Sequence, residues 1–195
     1  YTMQHVNVVL YNNFTALDAF GPVEVLNRIE DYKICFVSLN GGLITNEQNI
    51  RIETEPMSVI EDGGILLIPG GWGSCDQVDN KAFLEAIQAA AEKSEFVLTV
   101  CTGAALLAKT GMLDGKTATT NKRAFDWVKS CRPEVEWNRM ARWVHTDNIY
   151  TSAGVSAGID MALGFVRDRF DEAKAIDICK GMEYHWNADA DRDTF

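Results

Sequence analysis

The sequence has few histidines and no paired cysteines, and both absences exclude kinds of site. Its 195 residues include three histidines and five cysteines. No cysteines stand in a CxxC or Cys/His metal-binding spacing, so no metal site is expected. An odd number of widely spaced cysteines favours free thiols and therefore a reducing, cytoplasmic location. Each thiol is then either a small core residue or a reactive group.

Long apolar runs and runs of basic residues are missing as well. Without an apolar run of ~18 residues, no membrane-spanning helix is predicted, and the polar amino terminus predicts no signal peptide. The formal net charge is −10. Such a surface disfavours nucleic acids and anionic membranes, whose phosphates attract lysine and arginine. The expected partners are a small molecule and a second copy of the chain.

Segments typical of strands and helices alternate along the chain. Strands are predicted at 5–11, 33–39, 64–69, 96–100 and 117–120, with a meander at 42–60 and further strands within 134–151. Helices are predicted at 18–30, 79–94, 123–131, 156–170 and 172–187, with a short helix after residue 101 and a fraying acidic tail at 189–193. This order predicts a single α/β domain over residues 1–195, with a mostly parallel sheet sandwiched by helices. Ligands bind beyond the carboxyl ends of the strands in such sheets.

Cys101 stands where one buried strand ends. In VCTG (100–103) the strand stops, the cysteine follows, and a glycine two residues later opens a helix. This pattern resembles a nucleophile elbow, in which a tight turn lifts a reactive side chain above the sheet. The positive end of the helix dipole is expected to favour the thiolate and to make Cys101 the first cysteine to oxidise. The alternative interpretation is a buried structural cysteine.

A glycine-rich segment, PGGWG (69–73), ends the preceding buried strand. Glycine lets a ligand approach the backbone closely, so the N–H groups of Gly70 and Gly71 are candidates for an oxyanion hole, completed by the N–H of Thr102. Trp72 is expected to form a wall of the pocket. The alternative is a simple glycine-rich turn.

Asp18 follows the first strand and is expected at the same sheet edge as Cys101. Its carboxyl could donate or accept a proton, and it could also cap the helix that begins there. The pattern places none of the three histidines, His5, His145 and His185, beside Cys101. A cysteine peptidase would therefore lack its general base.

Two further segments follow strands near the expected site. In ATTNKRAFDW (118–127), Thr119, Thr120 and Asn121 are candidates for the rim of the pocket. In TSAGVSAGID (151–160), small residues allow close backbone packing, and an architectural role is expected.

Four motifs occur in an order that resembles the ThiJ/PfpI superfamily: FTALDAFGPVEVL, LLIPGG, VCTGAALLAKTGMLDGKTATT and TSAGVSAGIDMAL. The resemblance spans about residues 5–185. It implies a flavodoxin-like fold shared with class I glutamine amidotransferases and a reactive cysteine at Cys101. It also implies a homodimer, because small members of the superfamily are usually homodimers.

Within the superfamily, the motifs most resemble the isonitrile hydratases, which are lyases, and the ligand-sensing domains of some AraC-type regulators. The hydratase resemblance rests on Asp18 after the first strand and on Cys101-Thr102 at the elbow. Peptidase-like members instead carry Cys-His at the elbow and a glutamate in the first helix. Asn121 departs from the hydratase pattern, because close relatives often have histidine after ATT, and this leaves the pocket shape and the substrate open.

The resemblance implies hydration of an isonitrile to an N-substituted formamide. The Cys101 thiolate would attack the terminal carbon, a partly protonated Asp18 would donate a proton, and water would release the product from a thioimidate. Thr102 and the backbone of Gly70 and Gly71 would orient the intermediate, and no metal or organic cofactor is needed. The alternatives are a non-catalytic redox or metabolite sensor or stress protein, and a glyoxalase- or deglycase-type enzyme, whose usual glutamate and histidine are absent.

Overall fold

An eight-stranded sheet runs through the centre of the structure, a computed structural model that describes residues 3–195. The strands are β1 (Gln4–Val9), β2 (Tyr32–Ser38), β3 (Gly42–Thr45), β4 (Arg51–Pro56), β5 (Ile65–Ile68), β6 (Phe96–Val100), β7 (Thr117–Ala118), β8 (Glu136–Trp137), β9 (Trp143–Thr146) and β10 (Ile149–Ser152). Strands β7 and β8 pair with each other in a separate small sheet. The first two residues of the predicted 1–195 domain lie outside the described part of the chain.

The large sheet is mostly parallel, as predicted. Its strand order is β3-β4-β2-β1-β5-β6-β10-β9, and within it the two outermost pairs, β3–β4 and β9–β10, are antiparallel. All four residues of β5, Ile65–Ile68, are buried. A continuous apolar strand of this kind is typical of a parallel sheet that is covered on both faces.

Two groups of helices flank the sheet. The helices are α1 (Ala16–Leu26), α2 (Ser74–Gln77), α3 (Lys81–Lys93), α4 (Gly103–Ala108), α5 (Phe125–Cys131), α6 (Ala157–Arg169) and α7 (Glu172–Met182). Helix α6 packs against α1 and α7, whereas α4 packs against α3 and α5. The predicted α/β sandwich is therefore confirmed. Across residues 3–195, each helix is too short or too polar to cross a bilayer.

The direction of strand addition changes at β1. The crossover through α1 places β2 on one side of β1, whereas β5 and β6 are added on the other side. In such sheets a crevice opens beyond the carboxyl ends of the strands at this point. The segments that follow β1, β5 and β6 carry Asp18, Gly70 and Cys101, so the topology brings these three residues to one edge.

The carboxyl-terminal tail is docked onto the domain. Asp193 is buried and pairs with Arg142 at 3.1 Å and with Lys122 at 3.0 Å. Arg142 also pairs with Asp160 of α6 at 2.8 Å. The prediction that the acidic tail at 189–193 frays is wrong, because one of its carboxylates meets two cations that are distant in sequence.

Candidate active site

Cys101 occupies a strained turn between β6 and α4. Its φ is +57°, a left-handed conformation that is uncommon outside glycine. Its N–H donates to the carbonyl oxygens of Ser152 and Ala153, each at 3.2 Å. Its own carbonyl accepts a 2.7 Å hydrogen bond from the Thr120 hydroxyl. These contacts hold the turn in the geometry of a nucleophile elbow.

Close packing under the elbow fixes the position of the sulfur. A Cβ at Gly103 would fall 2.2 Å from the carbonyl oxygen of Ile68, so only glycine lets α4 begin this close to β5. The backbone N–H groups of Thr102 and Val155 interact with the Cys101 sulfur. Two main-chain N–H groups from different segments therefore favour negative charge on the sulfur.

Asp18 lies in the first turn of α1 and is fully buried. Thr15 occupies the N-cap position, so the expectation that Asp18 caps the helix is wrong. Asp18 Oδ2 accepts a 3.0 Å hydrogen bond from the N–H of Gly70. Asp18 Oδ1 is buried and makes no hydrogen bond of standard geometry with any other described residue. The Cys101 thiol nevertheless lies close enough to the carboxyl for each group to influence the other's titration.

Both groups of this pair titrate far from their ordinary values. Burial raises the pKa of Asp18 from 3.8 to about 7, although the Gly70 N–H and the Cys101 thiol both stabilise the carboxylate. Burial, and next the charge of Asp18, raises the pKa of Cys101 from 9.0 to about 12. Near neutral pH the sulfur is therefore protonated at rest, and Asp18 is the group that gains or loses a proton.

The expectation that Cys101 rests as a thiolate is wrong, and the expectation that it is the first cysteine to oxidise thereby loses its physical basis. The N–H groups of Thr102 and Val155 lower the pKa of the thiol, but burial and Asp18 outweigh them. Helix α4 has only six residues, and its dipole does not reverse this balance. The partial protonation expected for Asp18 agrees with its pKa of about 7. A Cys101 nucleophile would therefore have to transfer its proton before or during attack, and Asp18 is the adjacent carboxyl group that could accept it.

The N–H groups predicted to form an oxyanion hole are already engaged. Gly70 donates to Asp18, and Gly71 donates to the Thr102 hydroxyl at 3.0 Å. The Thr102 hydroxyl also accepts a 2.9 Å hydrogen bond from Ser74, while the Thr102 N–H favours negative charge on the Cys101 sulfur. The structure thus contradicts the oxyanion role of Gly70 and Gly71. Instead, Gly70 and Gly71 position the side chains of Asp18 and Thr102.

The residues predicted for the pocket rim have different positions. Thr119 and Thr120 are fully buried, and Thr120 supports the elbow through the Cys101 carbonyl. Their assignment to the rim is therefore wrong. Asn121 does line the cleft above Cys101, as predicted.

A cleft of about 470 Å³ opens over the elbow. Trp72 lines it, as predicted for a pocket wall, and is 72% exposed. Trp127 of α5 and the preceding Ala124 extend the apolar lining. Cys101 is 8% exposed and lines the cleft. A ligand can therefore reach the sulfur, while Asp18 stays shielded from solvent.

Three further residues of the site are not identified by the sequence patterns. Ser74 directly follows PGGWG, and a hydroxyl side chain beside a glycine-rich turn is the feature that could have identified it. Val155 has a φ of +36°. The small residues around it in TSAGVSAGID indicate that the backbone can approach the elbow closely. Tyr11 donates a 2.7 Å hydrogen bond to the Pro69 carbonyl. Burial first, and then the charges of Asp18 and Cys101, raise its pKa, but nothing in HVNVVLY distinguishes Tyr11 from an ordinary core residue.

Two of the three histidines contact other parts of the fold. His5, at the opposite end of β1, contacts the Cys35 thiol at 3.7 Å, and His145 stacks on Tyr150. Between residues 3 and 195, no three His, Cys, Asp or Glu side chains are grouped in a way that could hold a metal ion. The Cys101 thiol and the Asp18 carboxyl group are the interacting acid–base pair at the elbow.

The sequence matches one family model and is similar to known proteins. The model of the DJ-1/PfpI family matches residues 4–168. Isonitrile hydratase from Pseudomonas putida is 28% identical, over 84% of this chain and 71% of its own length. The HTH-type transcriptional regulator CdhR from Pseudomonas aeruginosa is 22% identical, over 83% of this chain and 48% of its own length.

Solved structures show the same architecture. A ThiJ/PfpI family protein from Pseudomonas syringae aligns with a TM-score of 0.83 at 24% identity, covering 93% of this chain and 75% of that chain. At this identity the likeness shows the fold alone. It agrees with the predicted flavodoxin-like fold shared with class I glutamine amidotransferases. The family match covers most of the chain and includes the elbow, and the chain therefore belongs to the DJ-1/PfpI family.

Proposed function

We propose that this protein hydrates an isonitrile to an N-substituted formamide, with Cys101 as the nucleophile. The observation that carries the proposal is the buried Asp18 beside the Cys101 thiol, since its pKa of about 7 lets it exchange a proton near neutral pH. Similarity to the isonitrile hydratase of Pseudomonas putida supports the choice of substrate class. The reaction needs no cofactor.

In the first step, the Cys101 sulfur attacks the terminal carbon of R–N≡C. The thiol proton passes to Asp18 as the carbon–sulfur bond forms, because a pKa of about 12 makes the free thiolate scarce. Asp18 then returns this proton to the carbon, and the product is the thioimidate R–N=CH–S–Cys101. The N–H groups of Thr102 and Val155 stabilise negative charge on the sulfur during the transfer.

In the second step, water from the cleft adds to the thioimidate carbon. The nitrogen gains one proton and the carbon gains the hydroxyl group, which gives R–NH–CH(OH)–S–Cys101. The carbon–sulfur bond then breaks, and the hydroxyl proton returns to the sulfur through Asp18. The products are R–NH–CHO and the free thiol, so one water is consumed and no oxidant or reductant is required.

A sensor role for the same site is the competing proposal. The similarity to the regulator CdhR favours it, and a sensor would bind a ligand at Cys101 without releasing a product.

We also retain the prediction of a homodimer in the cytoplasm. Leu17 and Val155 are exposed apolar residues near the elbow, and a second copy of the chain could pack against them. Sedimentation would measure the mass of such a dimer.

The proposal is tested by following formamide formation from cyclohexyl isocyanide. Wild-type protein should turn the isonitrile over repeatedly, whereas Cys101→Ala and Cys101→Ser should be inactive. Cys179→Ser is the matched control, because Cys179 is a buried cysteine of α7 and does not line the cleft. Unchanged turnover in Cys101→Ala, or a wild-type protein that binds the isonitrile without releasing formamide, would contradict the proposal.

A further inference from the structure

One charged residue lines the cleft over Cys101. Apart from Arg123, the described residues that line this cleft include no Lys, Arg, Asp or Glu, and two of them are the aromatic residues Trp72 and Trp127. Arg123 itself is exposed. A ligand on Cys101 would therefore meet an apolar wall and a single cation.

The Arg123 guanidinium is free of carboxylate partners within residues 3–195. None of the ion pairs or side-chain hydrogen bonds of these residues includes it. Its neighbours differ, because Lys122 pairs with Asp193 at 3.0 Å and Arg139 pairs with Asp126. Acidic residues outnumber basic ones in this chain, whose net charge is −10. An arginine without a carboxylate partner therefore differs from its charged neighbours.

We propose that the substrate carries a carboxylate that pairs with Arg123, on an apolar body that lies against Trp72 and Trp127. This inference rests on the proposed function, because it names the substrate class of the same site. A guanidinium can bind a carboxylate through two parallel hydrogen bonds, which fixes orientation as well as adding affinity. The isonitrile group at the other end of the molecule then faces the Cys101 sulfur.

The apolar lining strengthens this pairing. Aromatic walls exclude water from one side of the ion pair, and an ion pair with less solvent around it is screened less. Because Arg123 remains exposed on its other side, the expected gain is modest, roughly 2- to 5-fold in kcat/KM. The preference should also shrink as the ionic strength rises.

The test compares 4-isocyanobenzoate with its methyl ester, which has the same body without the charge. Wild type should favour the carboxylate by roughly 2- to 5-fold in kcat/KM, mostly through KM. Arg123→Gln should reduce this ratio to about one, and Arg123→Lys should retain part of it. Arg139→Gln is the matched control, because Arg139 is a nearby exposed arginine that does not line the cleft, and it should leave the ratio unchanged.

A binding measurement separates this inference from the proposed function. Binding of 4-formamidobenzoate and of its methyl ester can be followed by the fluorescence of the cleft tryptophans, without any turnover. Weaker binding of the carboxylate in Arg123→Gln, with the ester unaffected, supports the inference even if no isonitrile is hydrated. Equal affinity of wild type and Arg123→Gln for the carboxylate overturns it, even if both isonitriles are hydrated.

Discussion

Asp18 and Cys101 form a buried acid–thiol pair at the edge of the sheet. The carboxyl is fully buried, whereas Cys101 lines the cleft and is 8% exposed. The carboxylate favours the protonated thiol, and the thiol favours the ionised carboxyl group. The carboxylate raises the pKa of the thiol, and the thiol lowers the pKa of the carboxyl. Between a pH of about 7 and about 12 the pair therefore holds one proton, which rests on the sulfur.

The pH dependence of activity should follow the ionisation of Asp18. The pair is competent when Asp18 is ionised and can accept the thiol proton. We therefore expect kcat/KM to rise with pH, to reach half of its maximum near 7 and to level off above about 8, since burial raises the pKa of Asp18 to about 7. Asp18→Asn should lower the plateau by roughly 100-fold or more. A wild-type rate that does not change between pH 5 and 9 would contradict the base role.

The same carboxyl should make folding stability fall as pH rises. The folded-state pKa of Asp18 is raised from 3.8 to about 7, so the folded protein keeps a proton that the unfolded chain has already lost. Its contribution is full below pH 3.8 and is lost as pH rises through about 7. The cost of ionisation is on the order of 4 kcal/mol, because one pKa unit is about 1.4 kcal/mol.

Asp18→Asn removes this pH dependence, because asparagine is neutral throughout. Urea unfolding of wild type and variant at pH 5 and pH 8 should show that the variant gains stability relative to wild type at the higher pH. The difference between the two proteins cancels the titration of all other groups. If the two stability profiles run parallel over this interval, Asp18 does not carry a raised pKa.

Thiol reactivity offers a separate test of the pair. Cys75 is exposed, whereas burial and Asp18 raise the pKa of Cys101 to about 12. Iodoacetamide at pH 7.5 should therefore alkylate Cys75 at least about 10-fold faster than Cys101. Asp18→Asn should accelerate alkylation of Cys101 while leaving Cys75 unchanged. Peptide mass spectrometry measures both rates, and Cys101 reacting first in wild type would show that it rests as a thiolate.

Gly70 should be required for the geometry of the pair. A Cβ at this position would lie 2.6 Å from both the N and Oγ1 of Thr102 and 3.0 Å from Asp18 Oδ2. Gly70→Ala should cost roughly 2 kcal/mol of folding stability and lower kcat at least about 10-fold. Gly181→Ala is the control, because its Cβ would meet only the flexible end of Arg28. If both variants retain wild-type stability and kcat, the proposed packing is incorrect.

The architecture could be predicted because local patterns determine it. The strand at 96–100 matches β6 to the residue, since FVLTV is apolar and is bounded by the elbow. The edge shared by Asp18, Gly70 and Cys101 follows from the β-α-β order alone. These features depend on residues that are adjacent in the sequence and on the handedness of crossovers. Both can be inferred from the sequence.

The electrostatics of the site could not be predicted in this way. The helix dipole is visible in the sequence and favours a thiolate, but the extent of burial around Cys101 depends on segments from across the chain. The partners of the Gly70 and Gly71 N–H groups likewise come from α1 and from the elbow. Docking of Asp193 depends on Lys122 and Arg142, which no local pattern connects to the tail.

The most direct test of the account is to detect the covalent intermediate on Cys101. Wild-type protein is mixed with cyclohexyl isocyanide, quenched within the first turnover, digested and examined by mass spectrometry. We expect the peptide containing Cys101 to gain the mass of one isonitrile, and this adduct to rise and decay as formamide appears. Formamide that forms with no adduct on Cys101, or with the adduct on Cys75, would contradict nucleophilic attack by the elbow thiol.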